Sequence, residues 1–259
     1  MCIAVVQDGS NRVGPDVSAE TAGRRGSGSM TFSYEREMLE PAVRWLRSQG
    51  LLVKKEFPTP WGICDLVGCS LNKNKVKKRL ALRQMRPIGS LLRVHLLSLV
   101  PDQIDGASVT AEDLHRAFAG YLDKDRIAQE LTRLVKGRFV EITDSGAFYK
   151  VNGWMPLHKR LVAVELKLSR VDDALHQAIN NLGFADESYV AMPTLIAKRV
   201  AGSKAAARFR GKGIGLLGVD RRSCKVVLKA VTHKAGDDAV VQEHAIERFW
   251  LAHLRDNGA

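Results

Sequence analysis

The sequence predicts an α/β fold in which helices cover a mixed β-sheet, and three observations lead to this expectation. The chain has 259 residues, of which 45% are hydrophobic, so a sizeable core can form. Short, apolar, β-branched runs that indicate strands recur between segments with helical periodicity. Outside a middle segment of different character, residues 83–155, the predicted order is helix, strand, strand, strand, helix, strand. That order is typical of an α/β sandwich around a mixed sheet.

The charge of the chain favours a polyanionic partner. Forty Lys and Arg residues against 28 Asp and Glu residues give a formal net charge of +12, a balance typical of proteins that bind nucleic acid. No run approaches the roughly 20 apolar residues of a membrane helix, and the start MCIAVVQDGS is too short for a signal peptide and lacks a basic beginning. Four scattered cysteines without CxxC spacing predict neither a disulfide framework nor a zinc site. We therefore expect a cytoplasmic protein with no membrane partner.

Residues 31–82 are predicted to form the first part of the core. Before them, residues 1–30 end in a Gly/Ser/Arg-rich stretch without apolar periodicity and are expected to be a flexible tail. From Ser33, a candidate N-cap, to Gly50, a stop signal, the pattern predicts an amphipathic helix, in which Pro41 requires either a kink or a later start. Two strand-like runs, LLVKKEF and ICDLVGCSL, flank the turn PTPWG and predict a hairpin.

A basic stretch, NKNKVKKRLALRQMR, follows the hairpin and contains no acidic residue. A solvated face or a loop is its plain structural interpretation. The absence of counter-charges also fits a surface that contacts phosphates. The candidate phosphate contacts in this stretch are Lys73, Lys75, Lys77, Lys78 and Arg79.

The middle segment is predicted to contain three helices and a hairpin. The helical patterns are IGSLLRVHLLSLV, then TAEDLHRAFAG, which opens at Thr110, and DKDRIAQELTRLVKG, which closes at Gly137. The hairpin is RFVEITDSGAFYKVNG. Three helices followed by a β-ribbon resemble a winged helix, a helix-turn-helix variant whose third helix docks on DNA. Arg126 and Arg133 of that helix are candidate DNA contacts, while a protein-binding role stays open because the helix also carries acids.

Residues 156–259 are predicted to form the second part of the core. LVAVELKLSR predicts a strand, VDDALHQAINNLGFA a helix and ESYVAMP a buried strand. A basic helix and loop, TLIAKRVAGSKAAARFRGKG, comes next. Two further strands, IGLLGVD and CKVVLKAV, lead to a terminal helix, AVVQEHAIERFWLAHLRD.

The strand LVAVELKLSR carries two charges within an otherwise apolar run. Side chains alternate along a strand, so Glu165 and Lys167 share a face with Ala163 and Ser169. Burying an ionised pair is costly unless the charges are paired, solvated or bound to an ion. A salt bridge on a half-exposed strand is one explanation, and a functional site is the other.

The motifs GICDLVG and VELKL resemble the signature of the PD-(D/E)XK nuclease superfamily, with Asp65 in the first and Glu165 and Lys167 in the second. The resemblance covers about residues 31–82 and 156–220, and the middle segment is inserted between the two motif strands. It implies a restriction-endonuclease-like αβββαβ core with a mixed sheet, in which Asp65 and Glu165 bind metal and Lys167 is catalytic. Cys64 departs from the pattern, since the family often has Pro at this position.

Two further residues are implied by the same resemblance. SYEREML is similar to the ERE start of archaeal Holliday junction resolvases, which points to Glu35 as a metal ligand, with Glu37 as the alternative. Gln177 in HQAINNL resembles the Gln that several branches of the superfamily place after the Glu-x-Lys strand. In those branches this Gln supports the site or contacts the nucleic-acid backbone.

The residue types also fit phosphodiester hydrolysis on chemical grounds. The reaction requires a nucleophile near neutral pH and stabilisation of the charge that develops on the phosphate, and a hard divalent cation with oxygen ligands supplies both. Asp65, Glu165 and the Leu166 carbonyl would hold Mg²⁺, for which Mn²⁺ is expected to substitute. Lys167, one pleat along from Glu165, would reach the attacking water or the scissile phosphate.

We therefore expect a Mg²⁺-dependent DNA endonuclease whose middle segment positions duplex or branched DNA. One alternative is a nucleic-acid-binding or regulatory protein with a catalytically idle nuclease fold. Another is a protein-binding adaptor that uses the middle segment as its interface. Because many nucleases of this fold cut two strands as dimers, a homodimer is a further hypothesis.

Overall fold

The computed structural model describes residues 32–118, 121–151, 156–233 and 238–256, so the predicted tail, residues 1–30, lies outside the described residues. None of the helices in the described ranges is long and apolar enough to cross a membrane. These helices are α1 (Leu39–Ser48), α2 (Lys73–Ala81), α3 (Leu91–Leu99), α4 (Ala111–Ala117), α5 (Lys124–Lys136), α6 (Val171–Asn181), α7 (Thr194–Ala201), α8 (Ala205–Gly211) and α9 (Ala239–Asp256). The strands are β1 (Leu52–Thr59), β2 (Gly62–Leu71), β3 (Val140–Ile142), β4 (Phe148–Lys150), β5 (His158–Leu166), β6 (Glu187–Pro193), β7 (Gly215–Val219) and β8 (Cys224–Leu228).

Six strands of the described chain form one mixed sheet in the order β1-β2-β5-β6-β7-β8. The pairs β1/β2, β2/β5 and β7/β8 are antiparallel, and the pairs β5/β6 and β6/β7 are parallel. Parallel neighbours require a crossover connection, which α6 supplies between β5 and β6 and α7 with α8 supplies between β6 and β7. The predicted α/β fold around a mixed sheet is confirmed.

Helices cover both faces of the sheet at its centre. On one face, α1 contributes Val43 and Leu46 to a buried cluster that includes Val164 of β5. On the other face, α9 contributes Trp250 to a buried cluster that includes Ala163 of the same strand. From Leu161 to Leu166, β5 is therefore buried on both sides, which explains why this part of the strand is an almost continuous apolar run instead of alternating with polar residues.

The first helix begins later than its N-cap pattern suggests. A 3-10 helix spans Glu35–Met38, and the α-helix begins only at Leu39. Pro41 therefore lies in the first turn of α1, where its missing N–H would have had no partner within the helix. Of the two predicted consequences of Pro41, the later start is the one observed.

The basic stretch after β2 forms helix α2 with a solvated face. The Asn72 side chain caps this helix by accepting hydrogen bonds from the backbone N–H groups of Asn74 at 3.0 Å and Lys75 at 3.2 Å. Val76 and Arg79 are buried on its inner side. With so few apolar residues in the stretch, the hydrophobic periodicity of a helix is weak, and the sequence leaves a loop open as an alternative.

The middle segment has a buried cluster of its own. Helices α3, α4 and α5 bury Leu97, Leu114 and Leu131 together, and β3 and β4 pair as a two-stranded ribbon. Val240 of α9 packs against this cluster, and Thr31–Ala259 forms one compact unit. The segment is therefore packed onto the core and is not a separate body.

The chain leaves and re-enters the sheet at neighbouring points. Leu71 at the end of β2 pairs with His158 at the start of β5. Next to this pair, the Asn72 N–H donates a hydrogen bond to the Leu157 carbonyl at 2.8 Å. Helix α2 and the middle segment lie between these two points in the sequence.

Candidate metal and phosphate site

Two carboxylates meet where β2 and β5 lie side by side. Leu66 of β2 pairs with Val164 of β5, and the same antiparallel register extended by one residue sets Asp65 opposite Glu165. Asp65 Oδ2 accepts a hydrogen bond from the backbone N–H of Leu166 at 2.7 Å. The fold therefore brings Asp65 and Glu165 together although the whole middle segment separates them in sequence.

Glu165 is almost fully buried, with 3% of its surface exposed. Its Oε1 accepts a hydrogen bond from Asn181 Nδ2 at 2.7 Å, and the same Nδ2 lies 3.5 Å from Cys64 Sγ. Asn181 is buried at the end of α6. Asn181 lies outside the two motifs, and its signal in the sequence is an amide on the buried face of α6 that also contains Ala174 and Ala178.

Gln177 lies outside this hydrogen-bond network. Its side chain is exposed and forms no hydrogen bond with another described residue. It stands one turn before Asn181 in α6. The amide that supports Glu165 therefore comes from Asn181, one turn further along the helix than the resemblance implies.

Lys167 is buried just past the end of β5. Its Nζ lies 3.7 Å from Glu35 Oε2, and Glu35 Oε1 accepts a hydrogen bond from the backbone N–H of Leu168 at 3.4 Å. Glu37, the alternative to Glu35, instead accepts a hydrogen bond from the Ser33 N–H at 2.8 Å at the start of the 3-10 helix. Of the two acids, Glu35 is the one that reaches Lys167.

Burial raises the pKa values of both strand carboxylates. The pKa of Glu165 is raised to about 7, mainly by burial, with the Asn181 hydrogen bond opposing the rise and the charge of Asp65 adding to it. The pKa of Asp65 is also raised, again mainly by burial, while the Leu166 N–H and the Lys167 charge act to lower it. Two neighbouring carboxylates that are reluctant to ionise form a site that a cation would stabilise.

The donor atoms at this site suit a hard cation. Asp65, Glu165 and the Leu166 carbonyl offer oxygen atoms, which Mg²⁺ prefers. Burial raises the pKa of the Cys64 thiol well above its ordinary value, so this sulfur stays protonated and is a poor ligand. Among the described residues, no group of three or more His, Cys, Asp and Glu side chains could hold a metal ion. A Mg²⁺ ion held by such oxygen atoms would keep several waters of its own.

The raised pKa of Glu165 predicts that the metal-free protein loses stability as the pH rises. The ordinary pKa of a glutamate is 4.5 and that of folded Glu165 is about 7, so the folded state holds an extra proton between these values. The protonated Glu165 contributes its full stabilisation of the folded state below the ordinary pKa. This contribution is lost as the pH rises through the raised pKa, which lowers the free energy of unfolding by up to about 3 kcal/mol.

Urea unfolding in EDTA at about pH 5 and about pH 8 measures this loss. We expect a clear loss for the wild type and a smaller one for Glu165→Gln, which has no carboxyl to ionise. Mg²⁺ should restore stability at the higher pH in the wild type only. Equal losses in the two proteins would show that Glu165 is not the group responsible.

The lysines of α2 differ in their exposure. Lys73, Lys77 and Lys78 are exposed and form no ion pair with a described residue. Lys75 is half-buried, and its Nζ donates a hydrogen bond to the Pro156 carbonyl at 2.8 Å. Of the lysines predicted to contact phosphates, the exposed Lys73, Lys77 and Lys78 therefore remain the candidates.

Arg79, predicted to contact phosphates, belongs instead to the protein interior, where it is 4% exposed. Its two Nη atoms form a salt bridge with both carboxylate oxygens of Glu247 in α9, and its Nε donates to the Gln84 carbonyl at 3.1 Å. The guanidinium also lies over the Trp250 ring, 4.3 Å from its centroid. With its donors used inside the protein, Arg79 is not available to a phosphate.

Arg126 and Arg133 of α5 converge on Glu130, which is 0% exposed. Arg133 Nη1 lies 2.5 Å and Arg126 Nη2 lies 3.3 Å from the same Glu130 oxygen. Both arginine side chains remain about half exposed. Glu130 therefore neutralises part of the charge of this helix and holds its arginines in fixed positions.

Comparisons of the chain with protein-family models, with curated proteins and with solved structures find no match. The resemblance to the PD-(D/E)XK signature therefore depends on the two motifs that contain Asp65, Glu165 and Lys167.

Proposed function

We propose that this chain is a metal-dependent DNA endonuclease with a restriction-endonuclease-like core and a winged-helix-like insertion. The observation that carries the proposal is the meeting of Asp65 and Glu165 on neighbouring strands, with Lys167 buried two residues further on. The element order from α1 through β1, β2, β5 and α6 to β6 is consistent with an αβββαβ core. The net charge of +12 suits a polyanionic substrate.

Each polar residue of the site has a role in this proposal. Asp65, Glu165 and the Leu166 carbonyl would hold the cation, which when bound supplies a nucleophile near neutral pH and neutralises charge on the phosphate. Lys167 would direct its ammonium at the attacking water or the scissile phosphate, where a positive charge stabilises the transition state. The ion pair with Glu35 keeps the Lys167 side chain at this end of the strand.

The proposed DNA contacts come from two helices. Among the exposed basic side chains of α2 and α5, the proposed contacts are Lys73, Lys77, Lys78, Arg126 and Arg133. Helices α3–α5 and the β3–β4 ribbon have the order of a winged helix, in which the third helix docks on DNA. Binding through such contacts should weaken steeply as the salt concentration rises.

Cleavage of supercoiled plasmid tests the proposal. We expect the purified protein to nick or linearise the plasmid in Mg²⁺ or Mn²⁺ and to stop when EDTA is added, because the carboxylates act through the cation. Parallel reactions on linear duplex, a four-way junction and single strands would identify the class of substrate. A protein that cleaves none of these in either metal would overturn the proposal.

One observation favours a second candidate, a nucleic-acid-binding or regulatory protein with an idle nuclease fold. Among the described residues no third acidic or histidine ligand completes the site, and Glu35 is paired with Lys167. Such a protein would retain DNA in a salt-dependent manner and leave every substrate uncut.

A further inference from the structure

A small cationic cavity lies within the middle segment. Its volume is about 250 Å³, and it is bounded by the chain that enters α3, by α3 itself and by the C-terminal end of α5. Four of the side chains that line it are cations and none is an acid. The four are Arg86, Arg93, Arg133 and Lys136.

Glu130 bonds to two of these cations, Arg93 and Arg133, and holds them in place. Its carboxylate accepts hydrogen bonds from Arg93 Nε at 2.5 Å and from Arg133 Nη1 at 2.5 Å, and it is fully buried. A guanidinium has five N–H donors, so both arginines keep donors that no other described residue uses. Preorganised guanidinium groups of this kind suit the planar, paired hydrogen bonding of a phosphate.

The charge around the cavity is not balanced by the protein. Arg86 and Lys136 are exposed and form no ion pair with a described residue. Glu130 is the carboxylate that bonds to Arg93 and Arg133, and it also lies 3.3 Å from Arg126. The cavity therefore holds a surplus of positive charge, which favours a compact anion.

We propose that this cavity binds one phosphate group of the DNA backbone and so fixes the end of α5 against the duplex. The inference rests on the proposed DNA binding and names a contact within it. A free phosphate or a nucleotide has the same chemistry, but the lining by α5, the helix proposed to dock on DNA, favours the backbone phosphate. A contact of this kind positions the protein and carries no sequence information.

The test uses a double variant, Arg86→Gln/Lys136→Gln, whose two side chains are exposed and make no ion pair that the fold would lose. Lys225→Gln/Lys229→Gln is the matched control, since it removes the same charge from two exposed positions, one in the edge strand β8 and one directly after it. Fluorescence anisotropy on two duplexes of unrelated sequence would be measured at several salt concentrations. We expect the cavity variant to bind both duplexes about tenfold more weakly than the wild type. The slope of its log affinity against log salt concentration should be shallower by about one, the value for one lost phosphate contact. The control should match the wild type in both measurements.

The outcomes separate the cavity from the nuclease. A cavity variant that binds both duplexes like the control overturns the cavity proposal, and plasmid cleavage by the wild type would still support the nuclease. Weaker binding by the cavity variant, with no cleavage by any protein, supports the cavity and overturns the nuclease. A wild type that binds no DNA overturns both.

A further arm distinguishes the source of the phosphate. Inorganic phosphate and ATP would be added separately to the wild type and the cavity variant, and thermal unfolding would be followed. If they stabilise only the wild type while the two proteins bind DNA equally, the cavity binds a free phosphate compound, and the assignment to DNA is overturned.

Discussion

Asp65→Asn and Lys167→Met are each expected to reduce metal-dependent plasmid cleavage by about a thousandfold or more, equivalent to a loss of about 4 kcal/mol of transition-state stabilisation. The amide oxygen introduced by Asp65→Asn would still accept the Leu166 N–H but would bring no charge to the cation. Met preserves the length and the packing of the buried Lys167 stem while removing its ammonium. Both variants should retain DNA binding in EDTA, which separates a loss of chemistry from a loss of affinity.

Two conservative controls accompany these variants. Asp105→Asn changes an exposed acid in the 3-10 helix Gln103–Asp105, and Lys159→Met changes an exposed lysine of β5, the strand that contains Glu165. Both should cleave like the wild type. If Asp65→Asn cleaved at the wild-type rate, Asp65 would not be a ligand of the cation, and activity that is equal in all five preparations would identify a contaminating nuclease.

Glu247→Ala is expected to lower the free energy of unfolding by about 3–5 kcal/mol, because it would leave a buried guanidinium without its counter-charge. Glu247 bonds to both Nη atoms of Arg79 and also accepts the Ile88 N–H at 2.9 Å. One carboxylate therefore ties α2 and the entry to α3 to the terminal helix. Urea unfolding of the wild type and the variant would measure the loss.

The control is Lys78→Ala, one residue before Arg79 on the exposed side of α2, which should change the stability by less than about 0.5 kcal/mol. The double variant Arg79→Met/Glu247→Leu should recover most of the stability, since replacing both partners removes the unpaired charge. A loss below about 1 kcal/mol in Glu247→Ala would show that Arg79 finds another partner or solvent.

The order of elements could be predicted because most segments of this chain have strong local patterns. The strand over Glu187–Pro193 and the helix over Ala239–Asp256 coincide with the segments expected from apolar runs and helical periodicity. Helix α2 is the weaker case, since its inner side uses Val76 and the charged Arg79 where a pattern requires apolar residues. Its structure depends on the Asn72 cap and on packing against distant parts of the chain.

The site was predictable where two motifs named its residues, and less so where a partner lies far away in sequence. Strand β2 places Asp65, and strand β5 places Glu165 and, just past its end, Lys167. The register between β2 and β5 then sets the two carboxylates opposite each other. Asn181 reaches Glu165 because of where α6 ends. Arg79 is buried because it pairs with Glu247 in the last helix, α9. The buried face of α6 marks Asn181 as an inward-facing amide, but the local sequence around Asn181 or Arg79 does not show which carboxylate it meets.

The hydrogen bond between the Asn72 N–H and the Leu157 carbonyl closes the base of a long excursion of the chain. In an unfolded chain, pairing β2 with β5 would require closing the whole loop between these residues, and the entropy lost on closure grows with the logarithm of loop length. Contacts inside the excursion, such as the buried cluster of Leu97, Leu114 and Leu131, shorten the effective loop that remains to be closed. The excursion therefore helps to assemble the site by lowering the entropic barrier to strand pairing, although none of its described residues bonds to the side chains of Asp65, Glu165 or Lys167.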